Sequence, residues 1–287
     1  MTHTTRRAVL LGGLGALATA AAGLTAVEAG VLGGRDRLPA GVPTATPGRL
    51  VSGSFDSAAR HGARTSWAVA YPPGPDRDNL PVLISLHGRG GSHRDSFTGS
   101  LHLHRFLADA VAHGSAPFAI AAVDGGDHEY WHPRRDTDPA AMVISEFLPL
   151  LGRRGLDTTR VGLFGWSMGG YGALYLAGRL GRERTAVAVA ESPAVWHQAG
   201  QSAAGAFDDA EDFDEHAIFG RLELLAGIPL RLDCGASDGF AAVTRDLRAA
   251  LSPTPAGGIE PGGHDAGYWR SQAAAQLRFA AGQLAGR

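Results

Sequence analysis

The chain has 287 residues, with 26 basic and 28 acidic side chains, a formal net charge of −2, and 44% hydrophobic against 19% charged residues. That balance carries no electrostatic footprint for nucleic acid or an anionic membrane surface, and the length suits one large domain or two small ones with a sizeable core. A single cysteine, Cys234, excludes an internal disulfide, so stability must come from that core.

The amino-terminal run MTHTTRRAVLLGGLGALATAAAGLTAVEAG has the layout of an export signal. Arg6 and Arg7 precede a long stretch of Ala, Leu and Gly, and no acidic residue occurs before Glu28. The paired arginines point to the twin-arginine route, which carries folded proteins, and to a secreted or cell-envelope destination. Val27 and Ala29 are small enough to flank a cleavage site after Ala29, so residues 1–29 are expected to be a signal peptide. The protein would meet a membrane only if this segment were retained. Gly13, Gly15 and Ala18 fit a relaxed dinucleotide fingerprint, but no strand precedes them, and no cofactor is expected. Residues 30–50 are rich in Gly, Pro and Thr and read as a linker to a domain over 51–287.

Within that domain, apolar runs of strand length recur at Trp67–Tyr71, Val82–Leu86, Phe118–Val123, Val161–Phe164, Ala186–Ala190 and Leu230–Cys234. Helical spacing lies between or after them at Leu103–His113, Ala140–Leu151, Met168–Leu180, Ala241–Leu251 and Ser271–Leu284. This alternation predicts an α/β fold, a mostly parallel sheet with helices on both faces. Ligands of such sheets gather beyond the carboxyl ends of the strands. Those ends carry His87-Gly88-Arg89-Gly90-Gly91, Asp124-Gly125-Gly126, Gly165-Trp166-Ser167-Met168-Gly169-Gly170 and Gly235-Ala236-Ser237-Asp238-Gly239. Pro261-Gly262-Gly263-His264 follows near the end of the chain.

Gly165-x-Ser167-x-Gly169 between a strand and a helix has the form of a nucleophile elbow, where small neighbours let the backbone turn sharply and lift the hydroxyl above the sheet. A serine needs a base, and the base an orienting acid, in the chain order Ser, Asp, His. Asp238 and His264 fill that order. Asp233 is the alternative acid but lies inside a strand, and His197 and His216 precede Asp238. An oxyanion needs donors: the Met168 N–H opens a helix, and the Arg89 N–H belongs to the glycine loop after the second run. The Arg89 side chain could also bind an acidic group of the substrate.

LFGWSMGGYGALYLAG, LISLHGRGG, DCGASDGF and PGGHDAGYW together resemble the esterase family of α/β-hydrolases that includes esterase D, S-formylglutathione hydrolases, feruloyl esterases and mycolyltransferases. The resemblance spans roughly 65–285 and implies an α/β-hydrolase fold, a Ser167–Asp238–His264 triad and no metal in catalysis. VDGGDHEYWHPR resembles a segment bordering the substrate cleft, which would bring Asp124, Tyr130, Trp131 and His132 near the substrate. Gly239-Phe240 departs from the commoner Pro-Phe and could loosen the turn that holds Asp238.

Residues 196–228 read as a lid insertion, with Trp196 a candidate for the pocket wall and the acids from Asp208 to Glu215 a solvated face. His87, His93, His102 and His104 lack the spacing of a metal site. The expected function is an exported serine esterase acting on a small-molecule or cell-wall ester. Acyl transfer to a sugar alcohol and a non-catalytic binding role on the same scaffold are the alternatives.

Overall fold

The computed structural model describes residues 38–286; the expected signal peptide and residues 30–37 lie outside the described residues. Eight strands form one sheet: β1 Leu50–Ser57, β2 Ala63–Ala70, β3 Leu80–Leu86, β4 Ala119–Val123, β5 Leu156–Trp166, β6 Thr185–Glu191, β7 Leu230–Gly235 and β8 Ile259–Glu260. Their spatial order is β1-β2-β4-β3-β5-β6-β7-β8. The first two strands form an antiparallel hairpin, and β2 is antiparallel to β4. Every pairing from β4 through β3, β5, β6 and β7 to β8 is parallel.

The parallel strands β3, β4 and β6 are apolar runs because both faces of the sheet are covered. Helices α1 (Leu103–Ala112) and α7 (Ala266–Ala285) supply one core with Leu103, Phe106, Leu107, Leu277 and Leu284. The other face is covered by a segment of α2 (Pro139–Ala141), a π-helical stretch Met142–Phe147 and α3 (Leu148–Arg153). Helices α4 (Met168–Arg184) and α6 (Ala241–Ala250) pack on the same side. α4 leaves helical geometry at Gly181, whose φ is +70°, so the regular part ends at Leu180 as the sequence pattern predicts.

Two of the differences from expectation have identifiable reasons. α7 starts at Ala266 rather than Ser271 because the Asp265 carboxylate accepts the N–H groups of Gly267 and Tyr268, a helix cap. Strand β1 has no apolar run to announce it. It is an edge strand, and Gly53 on it leaves room for the Trp67 ring of β2, which a Cβ there would strike. The described part of the expected linker lies against the domain: Val42 is buried, and the Ala45 carbonyl accepts a bond from Arg105. The lid segment after β6 holds α5 (Ala210–His216) and a 3₁₀ stretch, Ile218–Leu225, that packs on α4. Among the described residues no helix is long and apolar enough to cross a membrane.

Candidate active site

Strand β5 ends at Trp166, and the chain turns into α4 through Ser167, whose φ and ψ are 56° and −119°. A non-glycine residue there stores on the order of 1–3 kcal/mol of strain and persists only when its surroundings fix it. Three backbone bonds do so. The Ser167 N–H donates to the Glu191 carbonyl at 2.9 Å, and its own carbonyl accepts from Tyr171 and Ala194. The flanking glycines are required by contact: a Cβ on Gly165 would overlap the Gly169 carbonyl, and one on Gly169 would overlap the Leu86 carbonyl. The glycines therefore bring strand, helix and the neighbouring β3 end closer than any side chain allows.

His264 lies in the loop immediately before the Asp265 cap of α7. Its Nε2 is 2.9 Å from Ser167 Oγ, and its Nδ1 is 2.8 Å from Asp238 Oδ2. Trp269 meets the ring edge-on at 5.2 Å, and Phe240 packs on it at a tilt at 5.4 Å. An ionised carboxylate only accepts, so the Nδ1 carries the proton and the Nε2 lone pair faces the serine hydroxyl. The Asp238 carboxylate is fully buried. Burial alone would raise its pKa, but hydrogen bonds from His264, the Phe240 N–H and the Ser192 hydroxyl outweigh it and hold the acid below its ordinary range. The Gly239-Phe240 departure does not open the turn, which is closed by bonds from the Asp238 N–H to Gly235 and from the Ala241 N–H to Asp238. Asp233, the alternative acid, is committed elsewhere: it pairs with Arg231 at 2.7 Å and accepts from Gln276 at 2.9 Å.

The glycine loop after β3 leaves the Arg89 donor free. Gly90 N–H bonds the Asp127 carbonyl and Gly91 N–H the Gly88 carbonyl, whereas Arg89 N–H has no acceptor among the described residues. The same holds for Met168 N–H at the first position of α4. Beneath the loop, His87 is buried and its Nε2 accepts the Gly125 N–H at 3.0 Å, so its Nδ1–H donates to the Gly88 carbonyl at 2.8 Å. Burial lowers the His87 pKa and keeps this ring neutral.

Of the five residues expected near the substrate, the structure brings Tyr130 to the cleft and puts the others behind it. The cleft measures 500 Å³ and is lined by Arg89, Tyr130, Trp166, Phe240, Trp269 and the lid residue Ala203, with Ser167 and His264 at its floor. Trp131 is wholly buried against Gly125 and Gly172, and its indole N–H donates to the His87 carbonyl at 3.2 Å, so it props the glycine loop rather than touching a ligand. Asp124 accepts from both the backbone and the ring of His93 and ties two loops together. Trp196 stands behind Tyr130 and Phe240, 5.8 and 5.7 Å from their rings. His132 is sealed in the interior. Its Nε2 faces Asp212 at 3.4 Å, its Nδ1 lies 3.1 Å from the Tyr130 carbonyl and from Tyr171 Oη, and it stacks on Phe207 and His216.

Part of the lid's acidic run is thus internal rather than solvated. Asp208 pairs with Arg134, Asp209 caps α5 and Asp212 meets His132 and His216, while Glu211, Asp214 and Glu215 face solvent. His132, Asp212 and His216 form the one cluster of metal-ligand type among the described residues, but the two imidazoles are stacked, an arrangement that cannot aim both lone pairs at one ion. His102 and His104, at the start of α1, hold no such cluster, and burial together with Arg105 lowers His104 to about 4. Cys234 is buried, and desolvation raises its thiol to about 12, which leaves it unreactive. A further cleft of 410 Å³ lies at the amino end of β7, beside Pro229, Leu251 and Phe279, and none of these groups lines it.

Fold and site together are those of an α/β-hydrolase. Residues 58–280 match the family model described as Putative esterase, and the chain belongs to that family. Among solved structures it is similar to a ferulic acid esterase at 19% identity, covering 83% of this chain and 100% of that one with a TM-score of 0.73. It is also similar to the S-formylglutathione hydrolase of Agrobacterium tumefaciens, at 18% identity, 84% and 97% coverage and a TM-score of 0.69. A third is the fluorophosphonate-binding serine hydrolase F of Staphylococcus aureus, at 19% identity, 84% and 100% coverage and a TM-score of 0.67. At these identities the likeness is one of fold. No curated protein sequence matches the chain.

Proposed function

We propose that the protein is an exported serine esterase that cleaves a carboxylic ester through an acyl-enzyme on Ser167. The observation that carries this reading is the unbroken hydrogen-bonded path from Asp238 through His264 to Ser167, opening on a cleft with two uncommitted N–H donors. Ser167 Oγ attacks the carbonyl carbon as His264 Nε2 takes its proton, and the carbonyl electron pair moves onto oxygen. The N–H groups of Arg89 and Met168 then hold that oxyanion, each worth about 10²–10³ in rate. The imidazolium returns the proton to the leaving alcohol as the C–O bond breaks. Water, deprotonated by the same nitrogen, releases the acid and restores Ser167. Asp238 stays ionised throughout and stabilises the imidazolium.

Trp166, Phe240, Trp269 and Tyr130 give the cleft an aromatic wall, which favours esters with a flat or apolar acyl group, the type named for the ferulic acid esterase it resembles. The Arg6-Arg7 leader supports export by the twin-arginine route, to act on small-molecule or cell-wall esters outside the cytoplasm. The test is hydrolysis of a series of p-nitrophenyl esters by the wild type and Ser167→Ala. Turnover should fall by at least about 10⁴-fold in the variant, while its melting temperature moves by only a few degrees. A variant that retains activity would overturn the reading.

A further inference from the structure

Arg89 carries one of the two proposed oxyanion donors on its backbone and has no acidic partner at its side chain. The residue is exposed at the rim of the cleft, and one guanidinium nitrogen donates to the lid carbonyl of Ala204 at 3.2 Å. A guanidinium has five N–H donors, so most of its capacity is unspent. No described carboxylate lies within ion-pairing distance of it, whereas Arg134, in the lid contact, is paired twice.

The acid that lines the cleft, Asp95, and two acids beside it are occupied. Asp95 accepts from the Ser92 N–H with one oxygen and from the Ser100 hydroxyl with the other. Asp238 is held by His264 and Phe240, and Asp124 by His93. The side-chain surface around Arg89 is the phenol ring of Tyr130 and the small residues Ala203 and Ala204, none of which neutralises a cation. A planar fork of donors open to the cleft and lacking a counter-charge matches a carboxylate in shape and sign.

We propose that Arg89 selects esters that carry a carboxylate, binding that group while its own N–H holds the reacting oxygen. The inference rests on the esterase reading and adds the substrate class to it. Because side chain and backbone belong to one residue, the distance is bounded: an arginine head reaches roughly 6–7 Å from its own backbone, so the carboxylate sits a few bonds from the scissile carbonyl. A diester or an amide-capped analogue of the same shape loses the contact. A charge-assisted pair at a partly exposed site corresponds to about a tenfold preference in kcat/KM, reduced by added salt.

Two pairs of esters test this and distinguish the side of the ester on which the anion lies. On the acyl side, mono-p-nitrophenyl glutarate is compared with p-nitrophenyl pentanoate. On the alcohol side, 3-acetoxybenzoate is compared with 3-acetoxybenzamide. The readout is the ratio of kcat/KM for the anionic over the neutral member. In the wild type that ratio should be about ten in one pair, fall to one or below in Arg89→Gln, and recover in part in Arg89→Lys. A role for Arg89 only as a lid latch through Ala204 would change both members together and leave the ratio intact. Equal rates within both pairs, or a ratio that survives Arg89→Gln, overturns the proposal. Calorimetric binding of the same pairs to Ser167→Ala and to Ser167→Ala/Arg89→Gln needs no turnover. An anion preference lost with Arg89 there supports the proposal even if the esterase reading fails, and equal binding refutes it even if that reading stands.

Discussion

Two of the histidine–aspartate pairs among the described residues contrast sharply, and one of these two is built to react. His264–Asp238 and His132–Asp212 both join an imidazole to a carboxylate held below its ordinary pKa. They differ in what the far side of the ring meets. His264 presents Nε2 to a strained serine hydroxyl in a cleft, with its side chain one-third exposed. His132 is fully enclosed, its Nδ1 lies against the Tyr130 carbonyl and the Tyr171 hydroxyl, and its face is stacked on Phe207 and His216. A His–Asp pair is therefore a general device for fixing a ring. It becomes chemistry where a nucleophile, free donors and space converge, and a clamp where every atom is already matched.

Substitutions sharpen that contrast. The largest effect is expected at the reactive pair: Asp238→Asn should lower kcat by about 10³–10⁴-fold, because the amide cannot stabilise the imidazolium or enforce the tautomer. Asp233→Asn, only five residues away, should behave in the opposite way. It breaks a buried pair with Arg231, so it should cost about 3 kcal/mol of stability in a urea titration and leave kcat within roughly tenfold. Loss of activity in Asp233→Asn with none in Asp238→Asn would exchange the roles of the two acids.

The clamp should show smaller effects, in stability rather than rate. Burial works against ionisation of Asp212, but hydrogen bonds from His132 and the Asp208 N–H, with His216 nearby, bring its carboxyl down to about 2. An acid whose pKa drops on folding stabilises the fold above its unfolded value near 4, and that contribution disappears as the pH falls toward 2. The wild type should therefore lose melting temperature between about pH 4 and 2. Asp212→Asn should lose about 1–3 kcal/mol at neutral pH and show a flatter acid limb, with kcat little changed. An identical acid limb in both proteins would mean that Asp212 does not clamp the lid.

The reactive pair was far more legible in the sequence than the clamp. Ser167, Asp238 and His264 each sit in a glycine-rich turn after a strand or before the last helix, and sheet topology alone brings such turns to one edge. Trp131 and His132 were misplaced because an aromatic after a glycine turn looks the same whether it faces a ligand or props a loop. What decides it is the space made by Gly125 and Gly172, on different elements. Likewise, nothing local marks Asp212, among the six acids from Asp208 to Glu215, as the one that meets a histidine 80 residues away. Strand β1 escaped notice because an edge strand with a half-exposed, polar face lacks the apolar run that identifies a buried one.

The most direct test of the central claim is labelling of the purified protein with a fluorophosphonate, followed by peptide mapping. The account predicts a single adduct on the peptide containing Ser167, strongly slowed in His264→Ala. An unlabelled Ser167 in a folded protein that still turns over esters, or an adduct on any other residue, would contradict it.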